Sequence, residues 1–364
     1  MRFSPTLSLY LGRQFLTGIM LAFLVMSVLV FLADLVEHLR RAADKDEATL
    51  VIVTAMSVLQ LPTLVQKLLP FAALFGGIWT CSRLTRAHEL VVVRASGVSA
   101  WQFLAPPLAI ALLLGVFVVT VFNPLSSAMV GRYEQMEMKY LEGRPHLLHV
   151  SSTGLWLIQA DGDQHAVVHA RGVSAQGTEL SGVIIFLYAD RDRFVGRIDA
   201  ARARLGNGFW DLQKALVTAP DQPAQRHERY RLPTSLTLER IQESFASPET
   251  MSFWALPGFI ENLQAAGFSA VRHQLHWHAT LTIPVLLCAM VLLAAAFSLR
   301  MTRAGNTGWL IAAGVAVAFA LYFVSDLTYA MGLAGKLPVT LAAWAPAGLM
   351  LVLGLALLFH LEDG

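Results

Sequence analysis

The sequence predicts a polytopic α-helical membrane protein: six transmembrane helices and one inserted β-rich domain. Three observations carry this. The chain of 364 residues is 55% hydrophobic and only 14% charged, with a mean hydropathy of +0.56, whereas a soluble domain carries about 25% charged residues. Five stretches free of Asp, Glu, Lys and Arg, and a sixth interrupted only by Lys67, reach the length of about 20 residues that a bilayer span needs. They fall into two groups of three, separated by a long stretch of different character. Such a composition excludes a cytosolic enzyme, a secreted domain and a disordered chain. A net charge of +2 offers no cationic surface for nucleic acid.

The first span is Gln14–Ala33. It is too long for a signal h-region and runs directly into Asp34, Glu37, Arg40 and Arg41. The second extends over about 50–82, interrupted by Lys67 and by Pro62 and Pro70. The third lies within 95–131, with its apolar centre near 103–122. The fourth, fifth and sixth are about 279–299, 304–325 and 337–361. Residues 1–131 and 269–364 therefore form the membrane part and residues 132–268 the insert. Cys81 and Cys288 both lie in apolar runs and imply no disulfide framework.

Arginine and lysine placement orients the chain. With the N-terminus inside, the inner segments hold seven basic residues (Arg2, Arg13, Arg83, Arg86, Arg94, Arg300, Arg303) and the short outer loops four (Arg40, Arg41, Lys45, Lys336). Both termini are then cytoplasmic and the insert is outside. Arg40 and Arg41 break the local rule, and such exceptions mark functional positions. Only five of the 27 basic side chains are lysine, so the positive charge is almost all guanidinium, suited to bidentate contact with carboxylate or phosphate.

Within the insert, apolar-rich runs at 154–160, 165–170, 183–188, 194–203, 209–217 and 229–238 alternate with turn chemistry such as Asp161-Gly162-Asp163-Gln164 and Gly206-Asn207-Gly208. This spacing predicts a small sandwich or jelly roll. Leu155, Leu157, Val183, Ile185 and Leu187 supply the apolar alternation, and an apolar groove is expected there. From Ser252 the pattern turns helical, with Phe253, Leu256, Phe259, Ile260 and Leu263 on one face and Gly267 ending it.

Between spans two and three, Thr85 is placed to cap a short cytoplasmic helix over about 85–97, with Glu89 near its positive end and Gly97 closing it. Ser99-x-x-Gln102 is a capping box opening span three. Two readings are open: a passive helix lying on the membrane, or a docking helix for a cytoplasmic partner. The chain holds no phosphate loop; Gly332-Leu-Ala-Gly-Lys336 has the wrong spacing and no following Ser or Thr. Energy from ATP would therefore have to come from another chain.

The run 70–103, Pro-Phe-Ala-Ala-Leu-Phe-Gly-Gly followed by Leu-Thr-Arg-Ala-His-Glu-Leu-Val-Val-Val-Arg-Ala-Ser-Gly-Val-Ser-Ala-Trp-Gln-Phe, resembles the YjgP/YjgQ permease family. These are the membrane subunits of the lipopolysaccharide-transport ABC exporter. Tyr10-Leu-Gly-Arg-Gln-Phe, Asp34-Leu-Val-Glu-His-Leu-Arg-Arg and Arg272-His-Gln-Leu-His-Trp-His agree with it, so the likeness covers essentially the whole chain. Of the family's two paralogous subunits the details look more like the G-type. The resemblance implies a periplasmic jelly roll and an inner-membrane location. It also implies the partners: a paralogous F-type permease, two ATPase subunits that bind ATP and Mg, and periplasmic bridge proteins. Lipopolysaccharide is the implied substrate, with no cofactor on this chain. It identifies the coupling helix with the segment carrying Arg86, Glu89, Leu90, Val91, Val92 and Arg94, and a cluster proposed to meet acidic head groups with Arg40 and Arg41. Some members carry a deeper basic residue where this chain has Asp34, which would act through a divalent ion or an arginine partner instead. Guanidinium chemistry suits phosphate, although Glu37, Asp44, Asp46 and Glu47 can neutralise an ordinary interfacial patch.

Lys67 and Asp326 are candidates for a cavity or gate, because intramembrane charge is functional by default; each can equally lie near a membrane surface. His273, His276 and His278 invite a metal reading, but His278 does not share the helix face of the other two, and no metal site is expected. No catalytic motif is present. The alternatives in play are the F-type subunit of the same exporter, a scaffold that merely anchors the β-domain, and a membrane-embedded enzyme, which lacks a converging catalytic set.

Overall fold

A computed structural model describes residues 5–43, 45, 48–95, 98–142, 148–151, 154–161, 164–173, 179–189, 193–206, 208–220, 223–234, 247–265, 269–301 and 307–362. Two compact units result. One comprises Met1–Glu142, Glu249–Trp254 and Gln274–Gly364; the other comprises Gly143–Pro248 and Ala255–His273.

The first unit is helical. Its elements are α1 (Pro5–Ala42), α2 (Leu50–Arg86), α3 (Glu89–Ala95), α4 (Ala100–Phe117) and α5 (Asn123–Glu137). A π turn at Val118–Phe122 joins α4 to α5, and a second, Met138–Glu142, follows α5. The helical run therefore continues beyond the expected boundary at 132. After the second unit come α7 (Val271–Leu281), α8 (Ile283–Met301), α9 (Thr307–Leu333) and α10 (Val339–Glu362). Five helical runs among the described residues are long and apolar enough to cross a membrane; α7 and α8, bent by 48°, make a sixth if they act as one span. The bend falls at Thr282, one residue before Ile283-Pro284. Pro284 lacks the N–H that would bond the Thr280 carbonyl, and the Thr282 hydroxyl donates to the Ala279 carbonyl at 2.7 Å.

At the centre lies α8. Leu287 and the whole run Ala289–Ala296 are buried on every side, packed with Phe15, Ile19, Leu74 and Leu104. By contrast α1 exposes Leu21, Leu24, Val25, Val28, Leu29 and Leu32, and α9 exposes Ile311, Val315, Phe319 and Phe323. Apolar side chains turned outward along whole helices are the signature of a bundle that meets lipid or another membrane subunit. α1 and α2 approach backbone to backbone. A Cβ on Gly76 would lie 2.6 Å from the Gly18 carbonyl oxygen, so only glycine fits this crossing.

The second unit is a seven-stranded antiparallel sheet in the order β1 to β7: Leu148–Ser151, Gly154–Asp161, Gln164–Val173, Glu179–Ala189, Arg193–Gly206, Phe209–Thr218 and Gln225–Pro233. Every described strand pairs with its sequence neighbour. Among the described residues the sheet is an antiparallel meander, a β-rich unit as the sequence predicts. The last strand spans Gln225–Pro233 and not 229–238; proline cannot donate to a ladder, and residues 235–246 lie outside the described set. Strand β1 was not foreseen. One face is apolar (Val168, Ile185, Ile198, Leu212), and α6 (Leu256–Ala265) covers it with Phe259, Ile260 and Leu263. Phe253, expected on the same helix face, belongs instead to the helical unit, where its ring stacks on Trp277 at 5.6 Å. The opposite sheet face carries Arg197, Arg202, Arg226 and Arg229 in the alternate register positions.

Candidate functional site

Two groups of charged and polar side chains lie at the two ends of α1. At its C-terminal end, His38 is only 2% exposed. Its Nδ1 lies 3.1 Å from Asp34 Oδ2, at ion-pair distance but without hydrogen-bond alignment, 3.0 Å from the Asp34 carbonyl oxygen and 3.2 Å from Ser57 Oγ. Its Nε2 lies 3.1 Å from the Tyr133 hydroxyl. One imidazole thus links α1 to α2 and α5. Asp34 therefore faces the bundle and His38.

The adjacent arginines divide in role. Arg41 pairs with Glu137 of α5 at 2.7 Å. Arg40 pairs with Glu37, one turn back on its own helix, through two bonds of 2.9 and 2.7 Å, with its side chain 74% exposed. An exposed pair of this kind contributes little to stability, so the Arg40 guanidinium can exchange its carboxylate for another anion. Arg41 is held to the bundle by Glu137. Asp44, Asp46 and Glu47, expected to neutralise the patch, lie outside the described residues. Lys67 and Asp326 are both exposed on their helices. A charge directed outward from a span meets a partner subunit or water at lower cost than lipid.

At the N-terminal end of α1 lies the segment expected to be a docking helix, and the structure shortens it. Thr85 does not cap it; its hydroxyl donates to the Cys81 carbonyl at 2.8 Å, inside the last turn of α2. The chain reverses at His88, which adopts φ +58°, a left-handed conformation several-fold enriched in His, Asn and Asp. Glu89 then opens the seven-residue α3. Gly97 lies outside the described residues. The capping box that opens α4 is present: Gln102 N–H donates to Ser99 Oγ and Ser99 N–H to Gln102 Oε1, each at 3.3 Å.

Glu89 accepts a 2.8 Å hydrogen bond from the Tyr10 hydroxyl of α1. Nearby, Arg83 donates to Gln14 Oε1 at 3.1 Å. Of the other residues expected to meet a partner, Val92 is 67% exposed while Val93 packs inward on the bundle core. Arg86 is exposed; the side chains of Leu90, Val91 and Arg94 lie outside the described set. Beneath α3 a mainly apolar cleft of about 300 Å³ is lined by Leu7, Leu11, Leu84, Val93 and Phe103, with Glu89 at its wall.

The groove expected in the insert takes a different form. Leu157, Val183 and Ile185 are at most 1% exposed, in a core closed by α6. Leu187 is half-buried, and the Leu155 side chain lies outside the described residues. These positions hold a packed core and not an open wall. His273 packs against Phe259 at 5.1 Å and His278 against Trp277 at 4.9 Å. Among the described residues no three side chains of metal-binding type gather.

The sequence reading missed His38, Ser57, Tyr133, Glu137 and Tyr10. His38 had a visible signal, standing four residues after Asp34 on one helix face. The others become neighbours only through the fold.

Comparison with known proteins settles the class. The family model of the lipopolysaccharide export system permease LptF/LptG matches residues 9–360. The chain belongs to this family. It is a permease subunit, a transport component and not itself an enzyme. Among relatives, the chain is 24% identical over 359 residues to the lipopolysaccharide export system permease protein LptG of Escherichia coli K12, covering 96% of this chain and 97% of that protein. It is also 24% identical over 355 residues to the LptG of Haemophilus influenzae, covering 96% of each.

Proposed function

We propose that this chain is the G-type permease of a lipopolysaccharide exporter of the inner membrane. Support for this reading comes above all from the family match over 9–360, which takes in both helical halves, the insert and α3 together. The two relatives named above are both LptG proteins, which favours G-type over F-type. In this reading α7 and α8 form one bent span, giving six. Both termini are cytoplasmic and the sheet unit periplasmic, as the arginine bias suggests. An F-type paralogue completes the lipid path, and two ATPase subunits holding ATP and Mg drive it. A periplasmic bridge takes the product.

The two ends of α1 then have distinct work. Arg40 offers an exchangeable guanidinium to the phosphates of the lipid head, with Arg41 behind it. α3 receives the ATPase, with Glu89 as its acidic contact. Truncating one partner of a desolvated interfacial charge pair costs about 2–5 kcal/mol. Glu89→Lys is therefore expected to leave accumulation and membrane insertion intact, abolish lipid export and reduce ATPase recovery on affinity purification. Full export with normal ATPase recovery would return α3 to a passive surface helix. For the lipid end, a photo-crosslinker at position 40 is expected to capture lipopolysaccharide in an exporting cell; capture of nothing there would end the head-group assignment.

A further inference from the structure

We propose that Tyr10 is a positioning residue for coupling: its hydroxyl ties Glu89 of α3 to α1, so that displacement of the docking helix is delivered to the helix that ends at Arg40 and Arg41. This rests on the reading of α3 as the docking helix and adds to it a connection within the chain.

Three observations carry the inference. The Tyr10–Glu89 bond of 2.8 Å joins residues 79 positions apart, and it attaches α3 to α1 and not to the helix that precedes it. Second, α3 is a short, separate element. It is seven residues long, follows a left-handed turn at His88, and overlies the apolar cleft of about 300 Å³. A polar tether from so short a helix conveys its motion to the helix it touches. Third, the bond leaves docking possible. A carboxylate offers about four acceptor sites on two oxygens, so Glu89 can hold Tyr10 on Oε2 and still accept a guanidinium from a partner. A phenol, the carboxylate and a partner's guanidinium would then form one chain of hydrogen bonds from α1 into the motor. The nearby Arg83–Gln14 contact ties α2 to α1 one turn further along but does not involve α3.

The test is Tyr10→Phe, which removes one oxygen and keeps the ring, in the assembled permease–ATPase complex reconstituted into proteoliposomes. Lipid released and ATP hydrolysed are both measured per assembled complex, so that any change in accumulation cancels. Accumulation and ATPase recovery are expected at the unaltered level, with lipid released per ATP falling about three- to tenfold, the factor for one net hydrogen bond. Combined with Glu89→Ala, which removes the acceptor, Tyr10→Phe is expected to add no further loss per assembled complex, since both remove the same contact. An unchanged ratio in Tyr10→Phe, or a fully additive loss in the double variant, would overturn the proposal. Failure of the docking reading looks different, because Glu89→Lys would then keep its ATPase. If Glu89→Lys sheds the ATPase while Tyr10→Phe exports normally, docking stands and the tether does not.

Discussion

The two ends of α1 solve the problem of holding a long helix in opposite ways. At the C-terminal end a nearly inaccessible imidazole contacts Asp34, Ser57 and Tyr133. At the N-terminal end an exposed phenol reaches one carboxylate. A buried polar group left without partners is costly, whereas an exposed hydrogen bond is exchanged for water at small net cost. Buried polar contacts therefore define the fold at one end, while the exposed one is suited to being made, strained and remade.

That contrast predicts a ranking in thermal unfolding of the purified chain in detergent. His38→Leu should have the largest effect. It removes the buried contacts of the imidazole to the Asp34 carboxylate, Ser57 and the Tyr133 hydroxyl together, a loss of about 1–3 kcal/mol. Replacing Asp34 by Leu as well should recover part of the loss, because apolar pairs often substitute for buried polar ones without penalty. A His38→Leu protein as stable as the original would remove the distinction between the two ends. Arg41→Gln comes next, at roughly 1 kcal/mol or less, the scale of a partly exposed ion pair. Arg40→Gln and Tyr10→Phe should leave the unfolding temperature unchanged, yet lower lipid capture and lipid released per ATP respectively. A stability change from either that matched His38→Leu would mean that both ends are built alike.

How much of this was legible beforehand depends on range along the chain. The spans were visible because hydration penalties forbid charge over about 20 residues at a stretch. The bend between α7 and α8 was not anticipated, although Pro284 stood in plain view, since a proline alone does not say whether a helix breaks or merely bends. Strands β2 to β6 followed from alternation and turn residues, but the topology did not. Alternation reports which face is buried and says nothing of which strand lies beside which. Thr85 read as a cap because its chemistry fits one, while the actual turn comes three residues later, at a histidine that accepts a left-handed backbone. Glu89 was identified from local pattern and family likeness. Its partner Tyr10 was not, because a contact across 79 residues is set by how α1 and α2 cross.

That crossing has a kinematic consequence. Gly18 and Gly76 interlock backbone to backbone, with Ile19 of α1 pressed against Gly76 and Thr80 of α2 against Gly18. Sliding one helix past the other by a single position would bring the Ile19 side chain to where only a hydrogen atom fits. α1 and α2 therefore lack a translational degree of freedom relative to each other and behave as one lever. Any widening on the exposed side of α1 has to swing both together, with the compliance lying elsewhere in the chain.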